Sequence, residues 1–105
     1  MHQENKNLLQ VLQDCINECN HCYHACLSEE MDMSRCIQLD RQCADICQLA
    51  ASYVASGAEA THILLEACAQ VCALCADECE KHVMDHCKRC AEACRRCAEE
   101  CKVAA

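Results

Sequence analysis

The sequence contains no proline, phenylalanine or tryptophan, and it has one glycine, Gly57, and two tyrosines among its 105 residues. It therefore lacks most of the residues that break helices, build turns and fill a large core. The remaining composition is typical of helices, and it argues against a loop-rich disulfide scaffold. The length suits one domain, so we expect a single all-α domain spanning residues 1–105.

Positive charge is also scarce. The sequence has 9 lysines and arginines but 17 aspartates and glutamates, which gives a net charge of −8. A nucleic-acid-binding protein would need a basic stripe, so we expect no nucleic-acid partner. The first residues form neither a signal peptide nor a long apolar run. We therefore expect a cytoplasmic protein with no membrane partner, in which thiols stay reduced.

Sixteen cysteines take the place of the missing large apolar residues. Within four groups, successive cysteines are three, four or seven residues apart, which keeps them on one face of a helix. Asp40 stands where the one seven-residue step lacks a cysteine. The groups are Cys15, Cys19, Cys22 and Cys26; Cys36, Cys43 and Cys47; Cys68, Cys72, Cys75 and Cys79; and Cys87, Cys90, Cys94, Cys97 and Cys101.

These four stripes predict helices over roughly residues 4–28, 32–56, 59–81 and 84–103. Because the connections are short, the helices should form an antiparallel, up-down-up-down four-helix bundle with a cysteine-lined core. Gly57 is a natural C-terminal cap for the second helix, and Asp32 or Ser34 is a natural N-terminal cap. The third break has neither glycine nor proline, so one long helix over 59–103 is an alternative.

The two ends of such a bundle would differ in chemistry. We expect a hydrophobic plug at one end, formed by Leu8, Val11, Leu12, Ile46, Leu49, Val54, Ile63, Leu64, Leu65 and Val103. The other end gathers methionines and histidines, which are soft or borderline metal ligands: Met31, Met33, His82, Met84 and His86. We interpret this set as a mouth where ions are first captured; gap-filling methionines are the alternative. His2, His21, His24 and His62 lie off the stripes and should be surface residues.

Metal binding explains the cysteine pattern better than disulfides do. A disulfide needs Cα atoms within ~7 Å, whereas facing helices of a bundle lie ~8–10 Å apart. Cysteine as a small hydrophobic residue would explain a few thiols but not sixteen on aligned stripes. Two cysteines one turn apart have Cβ atoms ~5–6 Å apart, which suits a two-coordinate metal with sulfurs ~4.6 Å apart. Each Cys-x3-Cys pair is therefore a candidate Cu(I) site.

Two arguments favour Cu(I) over Zn(II). Zinc prefers four ligands in a tetrahedron, and the sequence lacks the turns that usually bring such quartets of cysteines together. Sixteen buried thiolates also need compensating charge, which one monovalent ion per thiolate supplies. We therefore expect multiple Cu(I) ions, on the order of one per cysteine. A reactive-cysteine enzyme needs one tuned thiol beside a base, whereas the sixteen cysteines here are equivalent, so the sequence does not predict an enzyme.

The rows Cys15-x3-Cys19-x2-Cys22-x3-Cys26 and Cys68-x3-Cys72-x2-Cys75-x3-Cys79, with the tail from His86 to Cys101, closely resemble the bacterial four-helix-bundle copper storage proteins. The resemblance covers roughly residues 8–102 and points to the cytosolic branch. It implies a homotetramer of bundles, Cu(I) held mainly by cysteine pairs in the core, and ion uptake at an end that bears histidine and methionine. It also implies that Asp40 is an occasional core ligand.

The sequence thus predicts cytosolic, high-capacity Cu(I) storage by thiolates inside a bundle. A zinc or general soft-metal buffer or sensor, comparable to metallothionein, is the main alternative, and a redox thiol reservoir is a lesser one. The sequence does not identify a copper-accepting protein.

Overall fold

Four α-helices joined by short turns make up residues 3–105, the part of the chain that the computed structural model describes, with side chains from residue 5 onward. They are α1 (Gln3–Cys26), α2 (Ser34–Ser56), α3 (Thr61–Cys79) and α4 (Asp85–Ala104). The all-α prediction is confirmed. The alternative of one long helix over 59–103 is wrong, because a turn separates α3 from α4. His2 lies outside the described residues.

Each helix packs against its neighbours in the chain, and α1 also packs against α4, so the four helices form a closed bundle. Sulfur contacts show that the neighbours are antiparallel: Cys15 meets Cys43 while Cys22 meets Cys36. The result is the expected up-down-up-down bundle, 44 Å long and about 20 Å across. None of the helices between residues 3 and 105 has both the length and the apolar character needed to cross a bilayer. We call the end with the α2–α3 turn the closed end, and the opposite end the mouth end.

The turn between α2 and α3 is built as the sequence predicted. Gly57 has a φ of +69°, in the left-handed region where a side chain would be strained. Its N–H donates to the carbonyl of Val54, and the N–H of Ala58 donates to that of Tyr53. These are the two hydrogen bonds of a Schellman motif, which satisfies carbonyls that the end of a helix leaves free.

The other helix ends lie one or two residues inside most of the predicted limits. After Cys26, the backbone N–H groups of residues 27–29 bond to carbonyls three residues back, so α1 tightens and stops. Asp32 accepts hydrogen bonds from the backbone and hydroxyl groups of Ser34, and α2 begins at Ser34 rather than at residue 32. The predicted span 59–81 is likewise shortened to Thr61–Cys79.

The closed end has a smaller aliphatic plug than the sequence predicted. The side chains that are buried there belong to Leu8, Val11, Leu12, Val54 and Leu65, and Ile46 and Leu64 are half-buried. Leu49, Ile63 and Val103 are exposed, so their assignment to the plug is wrong. Leu49 and Val103 each follow a stripe cysteine by two residues, and a turn of ~100° per residue points them away from the centre.

Replacing Leu12 by alanine tests how much the plug contributes to stability. Leu12 is 0% exposed, so the change leaves a cavity and should lower the free energy of unfolding of the apo-protein by about 2–5 kcal/mol. Urea denaturation followed by circular dichroism, under anaerobic reducing conditions, measures this loss. The matched control is Leu49→Ala, because Leu49 is 46% exposed and its loss should cost less than ~1 kcal/mol. Equal losses in the two variants would contradict the assignment of the plug.

Candidate metal centre

The centre of the bundle is a continuous set of buried thiols. All sixteen cysteines are free and buried. Four Cys-x3-Cys pairs have their sulfurs 3.7–3.9 Å apart: Cys22 with Cys26, Cys68 with Cys72, Cys90 with Cys94, and Cys97 with Cys101. Sulfurs also meet across helices, at 3.5 Å both for Cys19 with Cys94 and for Cys43 with Cys72. The helical stripes therefore bring thiols together both along each helix and between helices.

Cysteines from different helices also form groups of four in which the sulfur atoms lie close together. In several sets of four cysteines, all the sulfurs lie within 4.8 Å of one another. Three sets that share no residue are Cys22, Cys26, Cys36 and Cys87; Cys19, Cys75, Cys90 and Cys94; and Cys15, Cys47, Cys72 and Cys97. Helix packing alone assembles these quartets without knuckle turns. The absence of such turns is therefore no argument against quartets in this bundle.

The sulfur spacing can be compared with the coordination geometries of the candidate metals. With a metal–sulfur bond of ~2.3 Å, neighbouring sulfurs lie ~3.8 Å apart around a tetrahedral ion and ~4.0 Å apart around a trigonal one. A linear two-coordinate ion needs ~4.6 Å. The observed distances of 3.5–4.0 Å fit three or four ligands directly, and a linear site needs a small rotation of one side chain. Distance alone thus does not choose between Cu(I) and Zn(II).

Charge separates the two metals more clearly than distance does. Among the described residues, the buried polar or charged side chains are Asp40 and Glu78, and both are acids. Burial raises the pKa of the Cys26 thiol to about 12, and burial also raises the pKa of Cys87. These thiols therefore stay protonated at neutral pH until a metal displaces their protons. A core without buried cations favours complexes that carry no net charge, such as one monovalent ion per thiolate.

Asp40 lies in the core as a protonated acid among thiols. Its side chain is fully buried, and Cys90 and Cys75 donate to its Oδ1 at 3.3 and 3.4 Å. Cys79 also contacts Oδ1, and Cys36 contacts Oδ2. Burial, followed by the charges of nearby thiol groups, raises the pKa of Asp40 to about 10. The carboxyl group thus adds an oxygen donor to the set Cys22, Cys36, Asp40 and Cys79 without adding charge at neutral pH.

His86 is the predicted mouth residue that reaches the thiols. Its Nδ1 lies 3.6 Å from the sulfurs of Cys22 and Cys87 and 3.9 Å from that of Cys26. Its Nε2 lies 3.0 Å from Oε1 of Glu29. Burial lowers the pKa of His86, but the hydrogen bonds to Cys22 and Glu29 outweigh this effect, and the pKa is raised overall. His86 therefore connects the outermost thiols with the surface at the mouth end.

The other predicted mouth residues take different positions. His82 turns toward Glu78, with Nε2 3.0 Å from Oε2, and the structure records no contact between its ring and a cysteine. Met33 is buried at 3% exposure and Met84 packs half-buried against the core, whereas Met31 is 53% exposed. His21, His24 and His62 are exposed, as expected. Of the predicted mouth residues, His86 thus contacts the thiols, while Met33 and Met84 pack in or against the buried core.

Two carboxylates at the mouth end, Glu29 and Glu78, were not predicted from the sequence. Glu29 lies in the α1–α2 turn. Glu78 is nearly buried and accepts hydrogen bonds or ion pairs from Arg35, Lys81 and His82. The pKa of Glu78 is lowered, because the bonds to His82 and Lys81 outweigh the effect of burial. The spacing of four between Glu78 and His82 was a readable signal, whereas no local pattern pairs Glu29 with His86.

Known proteins share both this fold and its cysteine content. The chain is 41% identical over 92 residues to the cysteine-rich protein YhjQ of Bacillus subtilis (strain 168), covering 86% of this chain and 85% of that protein. The Cu(I)-bound copper storage protein BsCsp3 superposes with a TM-score of 0.92 at 41% identity, covering 96% of this chain and 97% of that one.

A second solved structure is a cytosolic copper storage protein from Streptomyces lividans, described during copper loading with five coppers. It superposes with a TM-score of 0.91 at 38% identity, covering 96% of this chain and 91% of that one. The family model described as copper storage protein matches residues 1–105, the whole of the sequence. The chain therefore belongs to the copper storage protein family.

Proposed function

We propose that this chain is a high-capacity Cu(I) store in which the thiolates of all sixteen cysteines bind the ions inside one four-helix domain. The observation that carries the proposal is the continuous contact among buried thiols in a core without buried cations. Such a core takes up monovalent ions with release of thiol protons and ends without net charge. The Cu(I)-bound and copper-loaded states of its relatives support the same conclusion.

A storage role also fits the absence of catalytic features among the described residues. An enzyme with a reactive cysteine needs one accessible thiol activated by a neighbouring base. Here every cysteine is buried, including those that contact His86. We therefore propose a binding protein and not an enzyme, which agrees with the description of the family as copper storage proteins.

Ions are proposed to load at the mouth end. Among the described histidines, His86 is the one that contacts thiols, and it lies between the surface and the outermost quartet, Cys22, Cys26, Cys36 and Cys87. Met33 and Met84 provide nearby thioethers, and Asp40 provides an oxygen deeper in the core. The closed end is filled by leucine and valine side chains, which offer Cu(I) no ligand.

Location and assembly extend the proposal. The cytosol is the proposed location, because the Streptomyces lividans relative is described as cytosolic. The family resemblance implies a homotetramer of bundles. The net charge of −8 supports the absence of a nucleic-acid partner.

A soft-metal buffer that binds Zn(II) is the second candidate, because the structure contains sulfur quartets. Each tetrahedral site with four thiolates would carry a net charge of −2, and three such sites would leave six negative charges in the core. No buried cation among the described residues compensates them. The cost of burying this charge makes Cu(I) the preferred cargo.

Anaerobic titration with Cu(I) against a chromophoric chelator measures the capacity of the store. We expect the helical apo-protein to bind on the order of one Cu(I) per cysteine with little change in circular dichroism, because the sulfurs are already assembled. A plateau at two or fewer ions per chain would contradict storage.

The same titration with Zn(II) distinguishes the two candidate functions. Under the storage proposal, Zn(II) binds weakly, and Cu(I) displaces it. About three tightly bound Zn(II) ions that resist displacement by Cu(I) would favour the buffer instead.

Removing the His86 side chain tests the loading route. We expect His86→Ala to slow uptake of the first Cu(I) equivalents by on the order of tenfold, while the final capacity stays unchanged. Stopped-flow transfer from a chelator measures the rate. The control is His24→Ala, because His24 is an exposed histidine in the last turn of α1, which ends at the mouth end. A reduced capacity with a normal rate would refute the loading role of His86.

The raised pKa of Asp40 makes the stability of the apo-protein depend on pH. The folded chain keeps the Asp40 proton up to about pH 10, whereas an aspartate in the unfolded chain has its ordinary pKa of 3.8. Between these values unfolding releases a proton, so the free energy of unfolding falls as pH rises, by at most ~1.4 kcal/mol per unit. We expect this slope between pH 5 and 8, and we expect Asp40→Asn to flatten it.

Denaturation by urea at several pH values measures this slope. Asp45→Asn is the matched control, since Asp45 is an exposed aspartate on the same helix and its removal should leave the slope unchanged. A slope that is equally steep in Asp40→Asn would show that Asp40 is already ionised in the folded chain.

A further inference from the structure

The contact between Glu29 and His86 joins two distant parts of the chain at the mouth end. Glu29 lies in the turn after α1, and His86 lies in the first turn of α4. Their side chains meet at 3.0 Å, between Oε1 of Glu29 and Nε2 of His86. The His86 side chain is 12% exposed and that of Glu29 is 30% exposed, so the pair lies at the rim of the bundle.

This contact decides which nitrogen of His86 faces the sulfurs. A carboxylate accepts hydrogen bonds, so the Nε2 beside Glu29 is the nitrogen that carries a proton. In the neutral ring, Nδ1 is then left with a free lone pair. That lone pair points toward the sulfurs of Cys22, Cys26 and Cys87, at 3.6–3.9 Å. The same arrangement, a carboxylate behind a histidine, orients histidine ligands in many metal sites.

We propose that Glu29 is a positioning residue for copper loading, because it holds His86 in the tautomer and orientation that present Nδ1 to the outermost thiols. This inference rests on the proposed function, since it concerns the route by which Cu(I) reaches the store. Glu29 itself does not bind the ion. It acts through His86, from the far side of the ring.

The second histidine at the mouth end shows that a carboxylate partner alone does not make a loading residue. His82 also bonds to a carboxylate, that of Glu78, but Glu78 is shared with Arg35 and Lys81. No contact with a sulfur is recorded for His82 among the described residues. The pair of Glu29 and His86 is the combination in which one nitrogen is held by an acid and the other faces three thiols.

The experiment compares Glu29→Ala and Glu29→Gln in the full-length apo-protein with the control Glu30→Ala, which alters the neighbouring exposed glutamate. The ¹⁵N resonances of the His86 ring, recorded where the ring is neutral, report which nitrogen carries the proton. Stopped-flow transfer of Cu(I) from a chelator reports the rate of first uptake. Thermal unfolding reports any general loss of stability.

We expect Glu29→Ala to populate the other tautomer of His86 and to slow first uptake on the order of tenfold, with the final capacity unchanged. Glu29→Gln keeps an acceptor oxygen at the same reach, so it should retain most of the wild-type rate. Glu30→Ala should match the wild type in both measurements. A change in thermal stability without a change in tautomer would assign Glu29 a purely structural role and overturn the proposal.

Two further outcomes also overturn it. An unchanged tautomer in Glu29→Ala removes the positioning role, and a Gln variant as slow as the Ala variant assigns the effect to charge instead of ring orientation. His86→Ala, measured in parallel, separates this inference from the loading route. If His86→Ala is slow but Glu29→Ala is normal, the role of Glu29 fails alone, and if both load normally, the loading route itself fails.

Discussion

Contact between sulfur atoms is the interaction on which the rest of this structure depends. Cysteine is small and apolar, and sixteen of these side chains fill the centre at distances of 3.5–4.0 Å. Buried alanines such as Ala44, Ala76 and Ala91 also occur on the helices around it. The atoms that pack the apo-protein are thus the proposed ligands of the loaded one. Because the helices already assemble the ligands, loading requires small side-chain movements and loss of protons, without refolding.

The use of one set of atoms for packing and binding limits the charge that the core can hold. As thiols, the cysteines are neutral, and burial opposes their ionisation, as the raised pKa values of Cys26 and Cys87 show for two of the outermost thiols. As thiolates, they need one positive charge each, because no buried lysine, arginine or histidine compensates them in the described core. The pKa of Asp40 is raised because burial disfavours a negative charge on its carboxyl group as well. A monovalent cargo satisfies this limit at every thiol, whereas a divalent ion on four thiolates exceeds it.

The sequence predicted the features that repeat along a helix and missed those that depend on helix phase or distant contacts. The stripes of cysteine predicted four helices, their packing and the buried thiols, and Gly57 predicted the left-handed cap of α2. Leu49 and Val103 were misassigned because they lie near the stripes in sequence but on another face. The sulfur quartets and the bond between Glu29 and His86 join residues from different helices, and no local spacing indicates them.

The polarity of the bundle gives the proposed store a direction. The closed end holds Leu12 and other aliphatic side chains, so under the proposed loading route the ions for the deep thiols enter at the mouth end and pass from sulfur to sulfur. Asp40 lies on this path, since its oxygens contact Cys36 and Cys79 on the mouth side and Cys75 and Cys90 on the deeper side. A neutral acid offers a passing Cu(I) an oxygen without a charge that would trap it. Under the same proposal, protons displaced from the deep thiols move toward the mouth end. A carboxyl group both accepts and donates hydrogen bonds, so Asp40 suits this transfer of protons. Under this proposal, Asp40, which takes the place of a cysteine in the α2 stripe, is a junction between the two halves of the core.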